Sequence, residues 1–321
     1  MPPQVNSLSG RLSEADAALF YKLWMGLLDY VNCKFQIDNS LGKLLSPRGL
    51  DIEKLLPIRD KLWTDIVLID EYIENEKKSL SNDEITILRG WKTAVCDKFI
   101  VMKHLKKYSV LMTSEQSPLL FGTIGIMSTW EELVPTEMLP VMIDCVLIPF
   151  RNEIIYDSFL LGGNIRFGSS YKKSFNNAYR ASKELYGIIM NFDNLDETRV
   201  RRAVATSRRK RILNDVLAEV REERQMISAW HKYLENAFKF PFEAVCKKQL
   251  VRSPLEIGEQ VVVANLAKVK DCGEGIAVVI EWHGRKFAVP LEQLGAADPT
   301  MYFTEALEDW KYWITADCFN Y

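Results

Sequence analysis

The sequence predicts an α+β protein in which N-terminal helices and a mostly antiparallel sheet are followed by a long helical connector and a small β-barrel-like domain closed by a helix. Three observations predict it. Apolar residues recur at helical spacing up to about residue 95, alternating and short apolar runs follow up to about residue 168, and glycine-punctuated β-branched runs return after residue 258. We therefore expect three segments, residues 1–195, 196–232 and 233–321.

Capping patterns predict the N-terminal helices. Ser13-Glu-Ala-Asp16 precedes the stripe that runs from Leu19 to Val31, and Ser81-Asn-Asp-Glu84 opens a short helix to about Val95. Between them, after Pro47, Gly49 and Pro57, a second stripe runs from Leu62 to Ile73. We expect Trp24 and Trp63 to be packing residues of these helices.

The next segment changes to strands and ends in a covering helix. Lys106-Lys107 and Arg151-Asn152 lie between neighbouring apolar runs, so we expect a hairpin turn at each pair. The predicted strands are Phe99–Leu105, Tyr108–Met112, Leu119–Ile126, Leu139–Phe150, Glu153–Asp157 and Asn164–Gly168, and the covering helix is Tyr171–Asn191.

Polar residues of this sheet are the candidates for an active site. They are Asp144, Glu153, Asp157 and His104, but none of the common catalytic or phosphate-binding motifs accompanies them. A histidine between Lys103 and Leu105 in an alternating strand is more often structural. The stretch of residues 146–168 with the helix after it resembles a region of uncharacterised bacterial proteins, which implies a fold and no activity. The sequence therefore favours a non-enzymatic protein over an enzyme.

The connector carries the most basic stretch of the chain. Seven cations fall within residues 199–211 with no acid among them. A helix of roughly forty residues would span about 60 Å and could separate the domains or pair with a second copy in a homo-oligomer. A cationic face suits phosphate backbones, so a nucleic acid or a protein is the expected partner. The candidate contacts are Arg201, Arg202, Arg208, Arg209 and Arg211.

The last ninety residues predict a small sheet and a terminal helix. Strands are expected at residues 260–264, 276–282 and 285–289, and Thr304 precedes a helix over residues 305–314. The candidate core consists of Phe240, Phe242, Val262, Ile276, Val278, Phe287, Val289, Leu291, Trp310 and Trp313.

Several short motifs of this segment occur in a known order. Phe240-Pro-Phe-Glu-Ala244, Gly-Arg-Lys-Phe over residues 284–287, Pro290-Leu291 and the terminal helix with Asp309-Trp310 and Trp313 resemble the CcbP-like family of bacterial calcium-binding proteins. The resemblance implies a small domain that binds Ca²⁺ through surface acids.

The acids of the segment supply candidate calcium ligands, since Ca²⁺ prefers several oxygen ligands including carboxylates. Residues 291–309 hold five acids and no Lys or Arg: Glu292, Asp298, Glu305, Glu308 and Asp309. Glu305 and Asp309 share a helix face at i,i+4. Acids in a first helical turn also complement the helix dipole, which needs no metal. A second group is Asp271 and Glu274 in the glycine loop, with Glu243 further away.

Composition excludes other classes. A net charge of −2 gives no global field toward nucleic acid or membrane, and no apolar stretch has the length of a membrane span. The first ten residues lack the features of a signal peptide. The six cysteines are scattered with no C-x-x-C pair, which is typical of reduced thiols. The expected location is the bacterial cytoplasm, away from membranes.

Overall fold

The structure is a computed structural model that describes residues 10–44, 51–163, 167–273, 275–298 and 303–316. It divides into two compact units, Met1–Arg199 and Val200–Tyr321. Both contain helices and an antiparallel sheet, so the predicted α+β class is confirmed.

The first unit begins with α1 (Glu14–Phe35), α2 (Ile52–Thr64), α3 (Val67–Asn75) and α4 (Asn82–Gly90). The side chain of Ser13 caps α1, and Ser81 with Glu84 forms the predicted capping box of α4. The single helix expected around residues 62–73 is wrong, because the chain leaves helical geometry at Asp65 between α2 and α3. The apolar stripe keeps its phase across that break, so periodicity does not reveal it. Pro57 lies inside α2, and residues 47 and 49 lie outside the described part of the chain.

The sheet of this unit follows the prediction closely. Its strands are β1 (Val95–His104), β2 (Ser109–Thr113), β3 (Leu120–Thr123), β4 (Val141–Phe150), β5 (Glu153–Tyr156) and β6 (Leu161–Gly162). The order is β3-β2-β1-β4-β5, and β6 pairs with β4. A short helix, α5 (Trp130–Leu133), was not predicted although Thr129 and Glu132 form its capping box. The strand expected over residues 164–168 falls largely outside the described residues.

Two apolar clusters stabilise the first unit. Helix α6 (Ser169–Tyr186) ends at Gly187, whose φ of 76° lies in the left-handed region, and packs on Ile100, Met112 and Leu120 of the sheet. The second cluster is aromatic and joins α1 and the 3-10 turn after α4 (Trp91–Thr93) to the end of β4 through Phe20, Trp24, Trp91 and Phe150.

The connector is not one rod. Helix α7 (Leu195–Arg211) ends in a π-helical turn over Ile212–Val216, and helix α8 (Glu223–Ala237) begins only after a non-helical segment. The expectation of an unbroken helix to about residue 236 is therefore wrong. No Gly or Pro lies between residues 195 and 237, so no helix breaker marks the interruption. Ile212 and Leu217 are buried there, and their packing fixes the break.

The second unit adds a five-stranded antiparallel sheet. Its strands are β7 (Phe242–Cys246), β8 (Gln260–Leu266), β9 (Ala277–Trp282), β10 (Arg285–Pro290) and β11 (Leu294–Ala296), in the order β10-β9-β8-β7-β11. Helix α9 (Thr304–Ala316) packs on β11 and α8. The predicted helix-covered small sheet is confirmed, with β7 and β11 as the strands that the sequence did not predict.

The core of this unit contains most of the predicted residues. Trp310 and Trp313 are both 2% exposed and pack around Trp230 of α8. The prediction that Val262 belongs to the core is wrong. Side chains alternate along β8, so Val261 and Val263 are buried and Val262 points outward with 36% of its surface exposed. Across the described part of the chain, we find no helix with both the length and the apolar character that a membrane crossing requires.

Candidate functional site

Asp309 of α9 lies at the centre of a polar cluster in the second unit. Its carboxylate is 1% exposed. Oδ1 forms an ion pair with Arg208 Nε at 3.1 Å and accepts a hydrogen bond from Arg211 Nη2 at 2.6 Å, and Oδ2 accepts one from the Tyr233 hydroxyl at 3.0 Å. Both oxygens of the carboxylate are therefore engaged by protein donors.

Helical spacing brings these groups together. Arg208 and Arg211 are i,i+3 on α7 and point to one side of it, and Glu305 and Asp309 are i,i+4 on α9. Arg211 also pairs with Glu305 through Nη1. The hypothesis that Glu305 and Asp309 share a face is confirmed, but that face meets two arginines.

Burial shifts the pKa values of the neighbouring groups. Burial lowers the pKa of Arg211, but the hydrogen bond and charge of Asp309 outweigh it, so the net pKa lies above the ordinary value. Burial, reinforced by the Asp309 charge, raises the pKa of Tyr233 to about 12. Arg211 is therefore cationic and Tyr233 a neutral donor at every physiological pH.

The other predicted calcium ligands lie apart from this cluster. Glu292 is half-buried in the turn Leu291–Gln293, Asp298 is exposed, and Glu308 pairs with Lys311 at 3.1 Å. In the described ranges, no group of three or more His, Cys, Asp or Glu side chains is arranged to hold a metal ion. Among the five predicted acids, Glu305 and Asp309 share a partner, the side chain of Arg211, which pairs with both carboxylates.

A groove on the sheet of the second unit brings two other acids near each other. Its volume is about 430 Å³, and Pro241, Phe242, Glu243, Val262, Ala297 and Asp298 line it. Glu243 is opposite Val262 in the ladder between β7 and β8, and Asp298 follows β11, which pairs with the other edge of β7. Sequence reasoning set Glu243 apart from Asp298 because strand β7 was not predicted.

The predicted nucleic-acid contacts do not form one exposed face. Arg208 and Arg211 turn toward Asp309, with side-chain exposures of 27% and 38%. Arg201 is exposed on α7, and Arg202 and Arg209 are half-buried. A phosphate-binding face that includes Arg208 and Arg211 is therefore not what the geometry favours.

The candidate acids of the first unit include one buried ion pair. Asp157 is fully buried and accepts hydrogen bonds from Arg59 Nε at 2.5 Å and Trp63 Nε1 at 2.9 Å. Arg59 and Trp63 line an open cleft of about 530 Å³ that also contains Asp144 and Cys96. Burial raises the pKa of the Cys145 thiol, which lowers its reactivity.

His104 contacts the protein through both ring nitrogens. Its Nδ1 lies 2.7 Å from Ser109 Oγ and its Nε2 lies 2.8 Å from the Val134 carbonyl oxygen. The hydroxyl partner, Ser109, is only 5% exposed, so this contact lies in the interior of the protein.

A calcium centre does not fit the α9 carboxylates as the structure arranges them. Ca²⁺ takes six to eight oxygen ligands. Asp309 instead meets two guanidinium groups and a hydroxyl donor, which repel a cation or compete with it. The groove that holds Glu243 and Asp298 leaves room for an ion with bound water.

Comparison with known protein families gives one match, which lies in this second unit. Residues 210–314 match the model of the CcbP calcium-binding family, described as calcium binding. The resemblance of the C-terminal residues is thereby confirmed.

Two solved structures are similar to about a third of the chain. One is "The crystal structure of Anabaena CcbP", at 23% identity over 34% of this chain and 90% of that one, with a TM-score of 0.31. The other is "Calcium binding protein in the calcium-binding form", at 23% identity over 34% of this chain and 89% of that one, with a TM-score of 0.30. No curated protein matches.

Proposed function

We propose that this is a non-enzymatic binding protein of the bacterial cytoplasm whose second unit binds Ca²⁺. The observation that carries the proposal is the match of the calcium-binding family model over residues 210–314, which lie within the unit of residues 200–321.

Within the second unit, the groove carboxylates are the ligands that the geometry favours. Glu243 and Asp298 line the same opening and are both exposed. Two carboxylates with water as the remaining ligands make a low-charge site, for which Kd values on the order of 10⁻⁴ to 10⁻³ M are typical. Glu292 and Glu308 stay candidate ligands from the sequence. Glu305 and Asp309 are engaged by Arg211.

Isothermal titration calorimetry of the full chain with Ca²⁺ and Mg²⁺ at low ionic strength tests this proposal. We expect calcium-selective binding that E243Q/D298N weakens at least about tenfold, since one carboxylate contributes about 1.4 kcal/mol or more to such a site. The matched control is E219Q/E235Q, which removes two exposed acids from other parts of the unit.

Each outcome has a definite meaning. Absence of binding by the wild-type chain would end the calcium proposal. Binding that both double variants leave unchanged would keep the function and remove the groove as its site.

The alternative function, a nucleic-acid-associated or protein-interaction factor acting through residues 199–211, stays a prediction. The pairing of Arg208 and Arg211 with Asp309 reduces the cationic surface on which that prediction depends. Homo-oligomer formation also stays a prediction, although α7 and α8 are separate helices and not the single long helix on which that prediction was based.

A further inference from the structure

The carboxylate of Asp309 requires a permanent positive charge beside it. A carboxylate with 1% of its surface exposed has lost nearly all of its hydration. An ionised group in that position is stable only when it is paired and hydrogen-bonded. In a calcium-binding protein the metal ion commonly supplies this charge.

In this chain the charge comes from α7. Arg208 and Arg211 reach the same oxygen, Oδ1, from successive turns of the helix, and Tyr233 of α8 donates to the other oxygen. Arg211 reaches Glu305 with its second Nη group. Two guanidinium groups therefore balance two carboxylates of α9, the buried Asp309 and the exposed Glu305.

We propose that Arg208 and Arg211 act as built-in cations that take the place of a metal ion at α9, so that Glu305 and Asp309 hold α7 and α8 to α9 and do not bind Ca²⁺. The inference goes beyond the proposed function and does not depend on it, because the groove at Glu243 and Asp298 is a separate place. It explains why the most basic helix and the acid-rich segment occur in the same unit: part of each charge cluster neutralises the other.

The proposal predicts that removing the two arginines creates a cation site. In R208M/R211M the methionine side chains keep part of the apolar stem of arginine, while Glu305 and Asp309 lose their counter-charges. We expect this variant to bind Ca²⁺ at one site more than the wild type, or about tenfold more tightly, because two like charges no longer oppose the ion at close range.

The experiment uses the full chain and two probes. Calorimetry with Ca²⁺ counts the sites, and Tb³⁺ luminescence excited through tryptophan reports an ion near Trp310, which follows Asp309 in the sequence and packs on Trp230. R201M/R202M is the matched control, since it removes the same charge from the same helix. R208M/R211M/D309N must lose the gained site, because the buried carboxylate is its centre.

A gain of binding in R208M/R211M that is absent from both other variants supports the proposal. Equal Ca²⁺ and Tb³⁺ binding by R208M/R211M and the wild type overturns it. If R208M/R211M fails to fold, E305Q in the wild-type background decides, since Glu305 is 65% exposed and its substitution leaves the core intact. A change within about twofold in Ca²⁺ affinity supports the proposal, and a tenfold loss shows that α9 binds the ion and overturns it.

Discussion

Asp309 shows how one buried carboxylate organises its surroundings. Its three partners, Arg208, Arg211 and Tyr233, come from two other helices. Breaking a buried ion pair leaves an uncompensated charge and costs more than a surface pair contributes. The partial exposure of both arginines reduces that cost, because water screens the charge that remains. The cluster therefore acts mainly by fixing which helix faces meet.

The hydroxyl of Tyr233 makes the stability of the protein depend on alkaline pH. Burial and the Asp309 charge raise its pKa to about 12 in the folded state, whereas the pKa in the unfolded chain is near 10. The unfolded state thus loses the proton first, and the contribution of this group to stability, fully present below pH 10, declines between about pH 10 and 12. Urea denaturation at pH 8 to 11 should show a falling midpoint.

The variant Y233F separates this residue from the other tyrosines. It should lower stability at pH 8 by about 1 kcal/mol, the value of one hydrogen bond, and should flatten the loss above pH 10. The control is Y72F. Burial raises the pKa of Tyr72 to about 12 as well, but Tyr72 belongs to the first unit. An unchanged alkaline slope in Y233F would contradict the assignment.

Helix α9 is held by its aromatic face as well as by its ion pairs. Trp310 and Trp313 pack against Trp230 of α8 in edge-on and tilted arrangements, with ring centroids 5.2 and 6.2 Å from that of Trp230. Aromatic pairs of this kind add to the free energy from burial alone. Helices α8 and α9 are therefore joined by buried apolar surface as well as by the hydrogen bond from Tyr233 to the Asp309 carboxylate.

The variant W310A tests the contribution of that aromatic face. Replacement of a fully buried tryptophan leaves a cavity and costs about 3–5 kcal/mol. Urea denaturation of the full chain, followed by circular dichroism, should show this loss as an earlier transition. W282A is the control, since Trp282 is only half-buried on β9 and should cost clearly less. Equal losses in the two variants would contradict the packing.

The division of the chain at residue 199 predicts an autonomous C-terminal fragment. Residues 200–321 keep Arg208, Arg211 and the fully buried Ile212 together with the sheet. A fragment that starts at residue 228 lacks these three side chains and leaves the Asp309 carboxylate without its arginines. We expect a cooperative thermal transition for residues 200–321 and a transition at lower temperature for residues 228–321.

Circular dichroism melts of the two fragments at equal concentration make this comparison. A fragment of residues 200–321 that carries R201M/R202M controls for the loss of charge alone. Equal melting temperatures for the long and short fragments would show that α7 contributes nothing to the second unit.

Local patterns in the sequence were sufficient for most of the elements. Ser13, Ser81 and Glu84 place helix starts because capping is a contact between residues three apart. The Arg151-Asn152 turn and the terminal helix with Trp310 and Trp313 follow from similarly local rules. The order of such elements also carried the family resemblance of the last ninety residues.

Contacts between distant residues lay outside those patterns. The break after α7 has no helix breaker in the sequence. The exposure of Val262 depends on which residues of the run Val261–Val263 face the core. The partners of Asp309 are 98 to 101 residues away from it for the arginines and 76 residues away for Tyr233.

The sequence by itself therefore establishes the α+β class, the element types and the presence of a basic and an acidic cluster, because those depend on spacing of a few residues. The meeting of the two clusters needs the three-dimensional arrangement of α7, α8 and α9. The sequence shows that a residue is acidic, but it does not show which group its carboxylate contacts. An acid that binds a metal ion and an acid that pairs with an arginine are therefore indistinguishable until the fold brings the partner beside the carboxylate.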